Sequence, residues 1–359
     1  MNIDRFDELP KMTQDQFCQQ INNLLLMIDQ TNDDSNVNQL IDQVKLSIEN
    51  IMRYPSGMVY IFGSRSYGLA SSDSDVDLYF DCGDCFSGKI ASNRAAQYQL
   101  IDLFANMVQD KKVFSEILVL KHLHVPIVRF RYFNLKCDLM FRSGLAVQSS
   151  RLLKLYLSNK TVRWITTSVV KQFTLVNKLV SDNLSSFSII WLVLFVLIRQ
   201  KVIPPVIELW KTCTRIEPYF VEGWDTRIVQ EENDASLIFG NYNSDVNNWD
   251  LLRSVFEFYS DTFTLKNFIL CPMFGELFNK STFSSEFIIK SDSVFNFRLQ
   301  LETFKQNKTI SEENLRDYHK IILQNPIKLC NNVTPWLTEK NMDIFIDICT
   351  KCMKSMSVI

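Results

Sequence analysis

The chain has 359 residues, 47% hydrophobic and 22% charged, the composition of a folded globular protein with room for two domains. Its net charge of −2 and pI of about 6.0 exclude binding nucleic acid through an overall positive field, so any such partner needs a local basic patch. Nine cysteines, an odd number without even disulfide spacing, point to a reducing compartment. A cytoplasmic location is expected, with nucleus and mitochondrion left open.

The N-terminal stretch MNIDRFDELPKM is acidic and carries neither a signal-type apolar region nor an Arg-rich transit pattern. Residues 13–52 place apolar side chains at three- and four-residue intervals, which predicts helices. Residues 1–52 are expected to pack as N-terminal helices on a later, central domain. Pro55 and Gly57 break the pattern. Short apolar strands are predicted at 58–62 and 76–80, then a helix at 91–109. Strands follow at 115–120 and twice within 125–141, joined by a turn near Asn134. Residues 53–142 therefore read as a compact α+β domain with a mixed, mostly antiparallel sheet.

Residues 143–359 read as a mainly helical central domain. The apolar run Ile189 to Ile198 is too short for a bilayer, which takes about 20 residues, and predicts a buried core helix. No membrane partner is expected. Pro204 and Pro205 stop that helix. A second helical block lies at 246–263, a β-like piece at 264–271, a polar irregular stretch at 272–310 and an amphipathic helix near the C-terminus.

Chemistry concentrates in YIFGSRSYGLASSDSDVDLYFD, Tyr60 to Asp81. Residues i and i+2 of a strand share a face, so Asp75 and Asp77 project side by side. Two adjacent carboxylates repel unless one is protonated or a cation neutralises them. A hard cation with oxygen ligands, Mg²⁺ or Mn²⁺, suits the pair together with substrate phosphates. Asp73 reads as a turn residue. Gly63 lets the backbone approach a ligand closely, and Ser64 is expected to open a short helix whose N–H groups face phosphate oxygens. Asp138, an aspartate within the apolar run KCDLMF, is the candidate third carboxylate for a two-metal site. Gly-Ser followed by D-x-D is a weak signal alone. It gains weight from the strand before it, the ten-residue gap, the strand carrying D-x-D and the lone Asp on a later strand.

These residues resemble the nucleotidyltransferase superfamily typified by DNA polymerase beta. Four later blocks, SSRLLKLYLSNKTVRWITTSVVKQF, LSSFSIIWLVLFVLIRQKVIPPV, NWDLLRSVFEFYSDTFTLKNFIL and LQNPIKLCNNV, resemble the noncanonical poly(A) polymerases and terminal uridylyltransferases. The resemblance implies Asp75, Asp77 and Asp138 as catalytic metal ligands, and Gly63 and Ser64 as the phosphate loop. It implies Lys171 and Ser186 as triphosphate contacts and Phe187, where the family has a tyrosine, as the ring stacked on the base. It also implies a poly(A)-polymerase-associated region at about 236–345.

Other positions also depart from the family pattern. Ser149 and Ser150 stand where an Asn-Thr pair contacts the ribose, and Leu175 replaces a second lysine, for which Lys178 is the candidate substitute. Asn331 stands where many uridine-adding members have a histidine; its amide can donate and accept, so ATP and UTP both remain open, with a slight lean to ATP.

The implied activity is template-independent addition of AMP or UMP to an RNA 3′ end with release of pyrophosphate. A catalytically impaired relative acting as an RNA-processing adaptor, and a nucleotide second-messenger synthase, are the alternatives. No appended RNA-binding module is visible, so an adaptor protein is an expected partner. Arg129, Arg131, Lys111, Lys112, Lys154 and Arg163 are candidate RNA-backbone contacts, each equally readable as solvated surface. Cys82/Cys85 and Cys349/Cys352 read as unrelated thiols, and His122/His124 as strand-entrance residues, rather than as zinc ligands.

Overall fold

The computed structural model describes residues 13–32, 35–52, 57–173, 184–212, 219–227, 246–283, 320–329, 331–335 and 337–356, with 217, 239 and 242. The chain forms two compact units. One comprises Leu26–Leu157 with Pro218–Gln230; the other comprises Met1–Leu25, Ser158–Glu217 and Glu231–Ile359.

The first unit is built on a five-stranded sheet. Its strands are β1 (Met58–Phe62), β2 (Val76–Asp81), β3 (Phe114–Leu120), β4 (Ile127–Tyr132) and β5 (Leu135–Met140), in the order β1-β2-β5-β4-β3. The β2–β5 pair is parallel and the others are antiparallel, so the sheet is mixed. Alternation sorts its two faces. Val76, Leu78 and Phe80 point into an apolar core with Val128, Phe130, Cys137 and Leu139. Asp77 and Tyr79 point the other way.

Helices α1 (Gln14–Asn32) and α2 (Ser35–Met52) form where expected. Val37, Leu40, Val44 and Ile48, spaced three and four apart, belong to the core beneath the sheet. The second N-terminal helix thus packs on the sheet. Periodicity identifies a helix's apolar stripe but not the surface that will cover it. Helix α4 (Arg94–Val108), capped by the Asn93 side chain, adds Ile101, Phe104 and Val108 to the same core. Phe104 rings contact Phe114, Phe130 and Phe141 at 5.5 to 6.5 Å.

The other face is partly covered by α5 (Leu145–Leu157), whose Val147 packs with Tyr79, Phe86 and Met140. The sequence boundary at 142 therefore falls before a helix that belongs to the sheet unit. The two-strand ribbon β6 (Phe220–Val221) and β7 (Trp224–Asp225) also returns to this unit. Its turn has Glu222 and Gly223 at φ 50° and 81°, the left-handed pair that a tight hairpin requires. Glu222 accepts from Arg142 Nε at 3.1 Å and Ser143 Oγ at 2.8 Å, pinning the ribbon.

The second unit is mainly helical. Its described helices include α6 (Lys160–Thr167), α7 (Ser186–Arg199), α8 (Val206–Thr212), α9 (Asn248–Ser260), α10 (Thr262–Asn267) and α11 (Glu339–Met356). Residues 188–198 of α7 are all buried, as the apolar run predicts, and no described helix is long and apolar enough to cross a membrane. Tyr259 of α9 donates to the Leu192 carbonyl at 2.7 Å. A small sheet of β8 (Phe268–Cys271), β9 (Glu276–Asn279) and β10 (Ile322–Leu323) completes the unit, in the order β10-β8-β9.

Candidate active site

The parallel register pairs Asp77 of β2 with Asp138 of β5, so both carboxylates stand on the face opposite the apolar core. Asp75 precedes β2 and sits two residues before Asp77. The three are close enough to act on one another. Burial pushes the Asp77 carboxyl up to about 7, the charges of Asp138 and Asp75 push in the same direction, and Arg129 pulls it down. Tyr67, buried beside this group, has its phenol raised by burial first and by the Asp77 charge second.

The donor chemistry is hard oxygen with excess negative charge, the set that Mg²⁺ or Mn²⁺ fits. No three His, Cys, Asp or Glu side chains among the described residues are gathered tightly enough to enclose an ion. Both Asp138 oxygens accept from Arg129, Nε to Oδ1 at 2.8 Å and Nη2 to Oδ2 at 2.7 Å. Arg129, a candidate RNA-backbone contact equally readable as solvated surface, is bound to this carboxylate. Arg131 likewise holds Glu116 at 2.8 Å, and Lys111 holds the Ser47 hydroxyl at 2.7 Å.

Gly63 closes β1 directly against Asp77, because Phe62 and Asp77 are register partners. Its φ is +72°, and a Cβ there would lie 2.0 Å from Asp77 Oδ2. Only glycine meets both conditions. The helix after it, α3 (Gly63–Ser66), is shorter than predicted and gives way to a turn at Tyr67. Ser64 is half-buried within it. The following loop is tied down by Arg65 Nη2, which donates to the Ser74 carbonyl at 2.9 Å, and by a turn in which the Ser71 N–H donates to Ser74 Oγ at 2.9 Å.

Ser149 and Ser150, placed by the resemblance at the ribose, are both engaged within the unit. Ser149 Oγ donates to the Leu145 carbonyl at 2.9 Å. Ser150, buried, accepts the Gly63 N–H at 2.9 Å. Helix α5 thereby holds the turn that faces Asp77, a link across 87 residues that no local pattern in the sequence announces.

The remaining predicted residues lie in the second unit. Lys171 is carried by a π-helical turn, Ser168–Phe173, that continues α6. Ser186 opens α7 and Phe187 follows it, half-buried, its ring 6.5 Å from Trp191 in an edge arrangement. Every residue of α7 from 188 to 198 is buried, so Phe187 is set apart from the plain core. Asn331 is exposed in a loop whose backbone is closed by Asn325 N–H to the Asn331 carbonyl at 2.8 Å. Its neighbour Asn332 is buried and accepts the Leu323 and Thr334 N–H groups. Leu175 and Lys178 lie outside the described residues. Burial pushes the Cys82 thiol up to about 12, away from the thiolate that a metal site needs.

A five-stranded mixed sheet with carboxylates on its central parallel strands and a Gly-Ser turn against them defines a nucleotidyltransferase fold. The family model for the central palm domain of mitochondrial-like poly(A) RNA polymerase matches residues 17–158. Among solved structures, mtPAP in complex with ATPγS superposes with a TM-score of 0.72 at 16% identity, covering 94% of this chain and 67% of that one. Cid1 in complex with its short product ApU gives 0.68 at 16% identity, covering 96% and 94%. A cytoplasmic RNA terminal U-transferase gives 0.66 at 17% identity, covering 95% and 93%. At these identities the likeness is one of fold.

Proposed function

We propose that the protein is a template-independent RNA 3′-terminal nucleotidyltransferase that takes AMP or UMP from the nucleoside triphosphate and releases pyrophosphate. The observation that carries this is the pairing of Asp77 with Asp138 on parallel strands, with Gly63 forced beneath Asp77. The neighbours in fold include mtPAP with ATPγS, mtPAP with UTP and Cid1 with ApU.

Asp75, Asp77 and Asp138 would hold Mg²⁺ or Mn²⁺. When bound, such ions supply charge neutralisation of the triphosphate and acidify the attacking hydroxyl. The chain's own residues do the placing. Asp75 and Asp77 present a negative face that excludes a bare triphosphate and admits a cation-paired one. Ser64 supplies a backbone N–H and a hydroxyl to phosphate oxygens, on a turn that Ser150 holds in shape. Lys171 and Ser186 are assigned to the triphosphate, the Phe187 ring to the base, and the exposed Asn331 amide to the base edge. In the transfer, the RNA 3′ hydroxyl loses its proton to solvent, its oxygen bonds to the α-phosphorus, the bond from that phosphorus to the bridging oxygen breaks, and pyrophosphate leaves with the electron pair.

Purified protein, labelled RNA and Mg²⁺ with each NTP in turn tests the activity and the base choice together. Ladder formation with ATP or UTP is expected. A folded protein that extends RNA with no NTP would refute the enzyme and favour an adaptor.

A further inference from the structure

We propose that Arg129 is a positioning residue for the transfer reaction: its guanidinium fork fixes the plane in which Asp138 presents its carboxylate. The inference rests on the nucleotidyltransferase reading above. Arg129 and Asp138 are register partners across the β4–β5 hairpin, whose loop is only Phe133 and Asn134. Both side chains therefore project from the same face at adjoining positions. The fork is side-on and bidentate, at 2.8 and 2.7 Å. It uses one lone pair on each carboxylate oxygen and leaves another on each.

Asp138 is the member of the acidic trio with such a clamp. Among the described residues, hydrogen bonds place a side-chain cation on Asp138 and on neither Asp75 nor Asp77. The neighbouring arginine on the same strand face, Arg131, is bound to Glu116. Stability does not account for the pair. The Arg129 side chain is 45% exposed, and an ion pair with that much solvent contributes at most about 1 kcal/mol. Orientation does account for it. A carboxylate free to rotate about its last torsion offers a divalent ion a moving target, whereas one gripped through both oxygens is held before the ion arrives. Lysine cannot do this, because a single ammonium cannot fix a plane.

The test compares wild type, Arg129→Lys and Arg129→Met in three readouts: Mn²⁺ binding followed by EPR in the presence of a non-hydrolysable ATP analogue, kcat with KM for NTP and RNA, and the salt dependence of the RNA KM. Thermal melts confirm that each variant folds. The clamp predicts weaker Mn²⁺ binding and a lower kcat, each by about 10- to 100-fold, in both variants. KM for RNA and its salt slope stay near wild type, and Lys does not rescue. Rescue by Lys, or an effect confined to the RNA KM and its salt slope, would overturn the proposal and make Arg129 a phosphate contact. Wild-type Mn²⁺ binding and kcat in Arg129→Met would also overturn it. A wild-type protein that neither binds Mn²⁺ nor extends RNA would instead bring down the enzyme reading on which the clamp depends.

Discussion

Replacing Asp77 by Asn should make the metal-free protein more stable at alkaline pH while removing its activity. Asp77 is buried among like charges, and its carboxyl is raised from 3.8 to about 7. In the native protein it stays protonated over a range where the unfolded chain has already ionised. Its contribution to stability is therefore full below pH 3.8 and is lost as pH rises through about 7. One pK step corresponds to about 1.4 kcal/mol, so the whole rise amounts to about 4 kcal/mol as an upper limit. Asn has the same shape and no charge to bury. Urea denaturation in EDTA at a series of pH values from acid to alkaline reads the effect directly. Wild type should lose stability from pH 3.8 up to about 7 and level off above it, Asp77→Asn should change little, and at pH above 7 the variant should be the more stable by about 2 to 4 kcal/mol. Equal pH slopes, or a variant less stable than wild type at alkaline pH, would refute the claim that burial, helped by the Asp138 and Asp75 charges, raises this carboxyl.

Three further substitutions probe the scaffold of the site. Gly63→Ala places a methyl 2.0 Å from Asp77 Oδ2 in a left-handed backbone position; a destabilisation of about 1 to 2 kcal/mol from the backbone alone is expected, with loss of nucleotide addition, both read by melts and RNA extension. Ser150→Ala strips the acceptor from the Gly63 N–H and should lower kcat with about 1 kcal/mol of lost stability, while Ser150→Thr, which keeps the hydroxyl, should retain both. Phe104→Ala removes a fully buried ring that touches three others, and denaturant titration should show a loss of about 3 to 5 kcal/mol.

The strands, the paired aspartates, the third aspartate and the buried helix at 188–198 are legible in the sequence because alternation and long apolar runs report burial locally. What is not legible depends on which surfaces meet. The stripe of Val37, Leu40, Val44 and Ile48 marks a helix face, yet nothing in it tells that its partner is the sheet core. Ser150 shows no sign in its neighbours that its hydroxyl will brace a glycine far along the chain. The π-helical turn that carries Lys171 also leaves no mark in VVKQF, where periodicity reads as ordinary helix. The Arg129 clamp could have been found: a two-residue loop at Phe133 and Asn134 sets the hairpin register and brings Arg129 opposite Asp138. Treating Arg129 as a surface cation overlooks that geometry.

The central claim is that Asp75, Asp77 and Asp138 together take divalent ions beside a nucleotide. Anomalous diffraction from crystals grown with Mn²⁺ and a non-hydrolysable NTP tests it most directly. The account predicts anomalous density contacting all three carboxylates, with the triphosphate reaching toward Ser64. Density confined to other sites, or carboxylates pointing away from any ion and from the nucleotide, would contradict it.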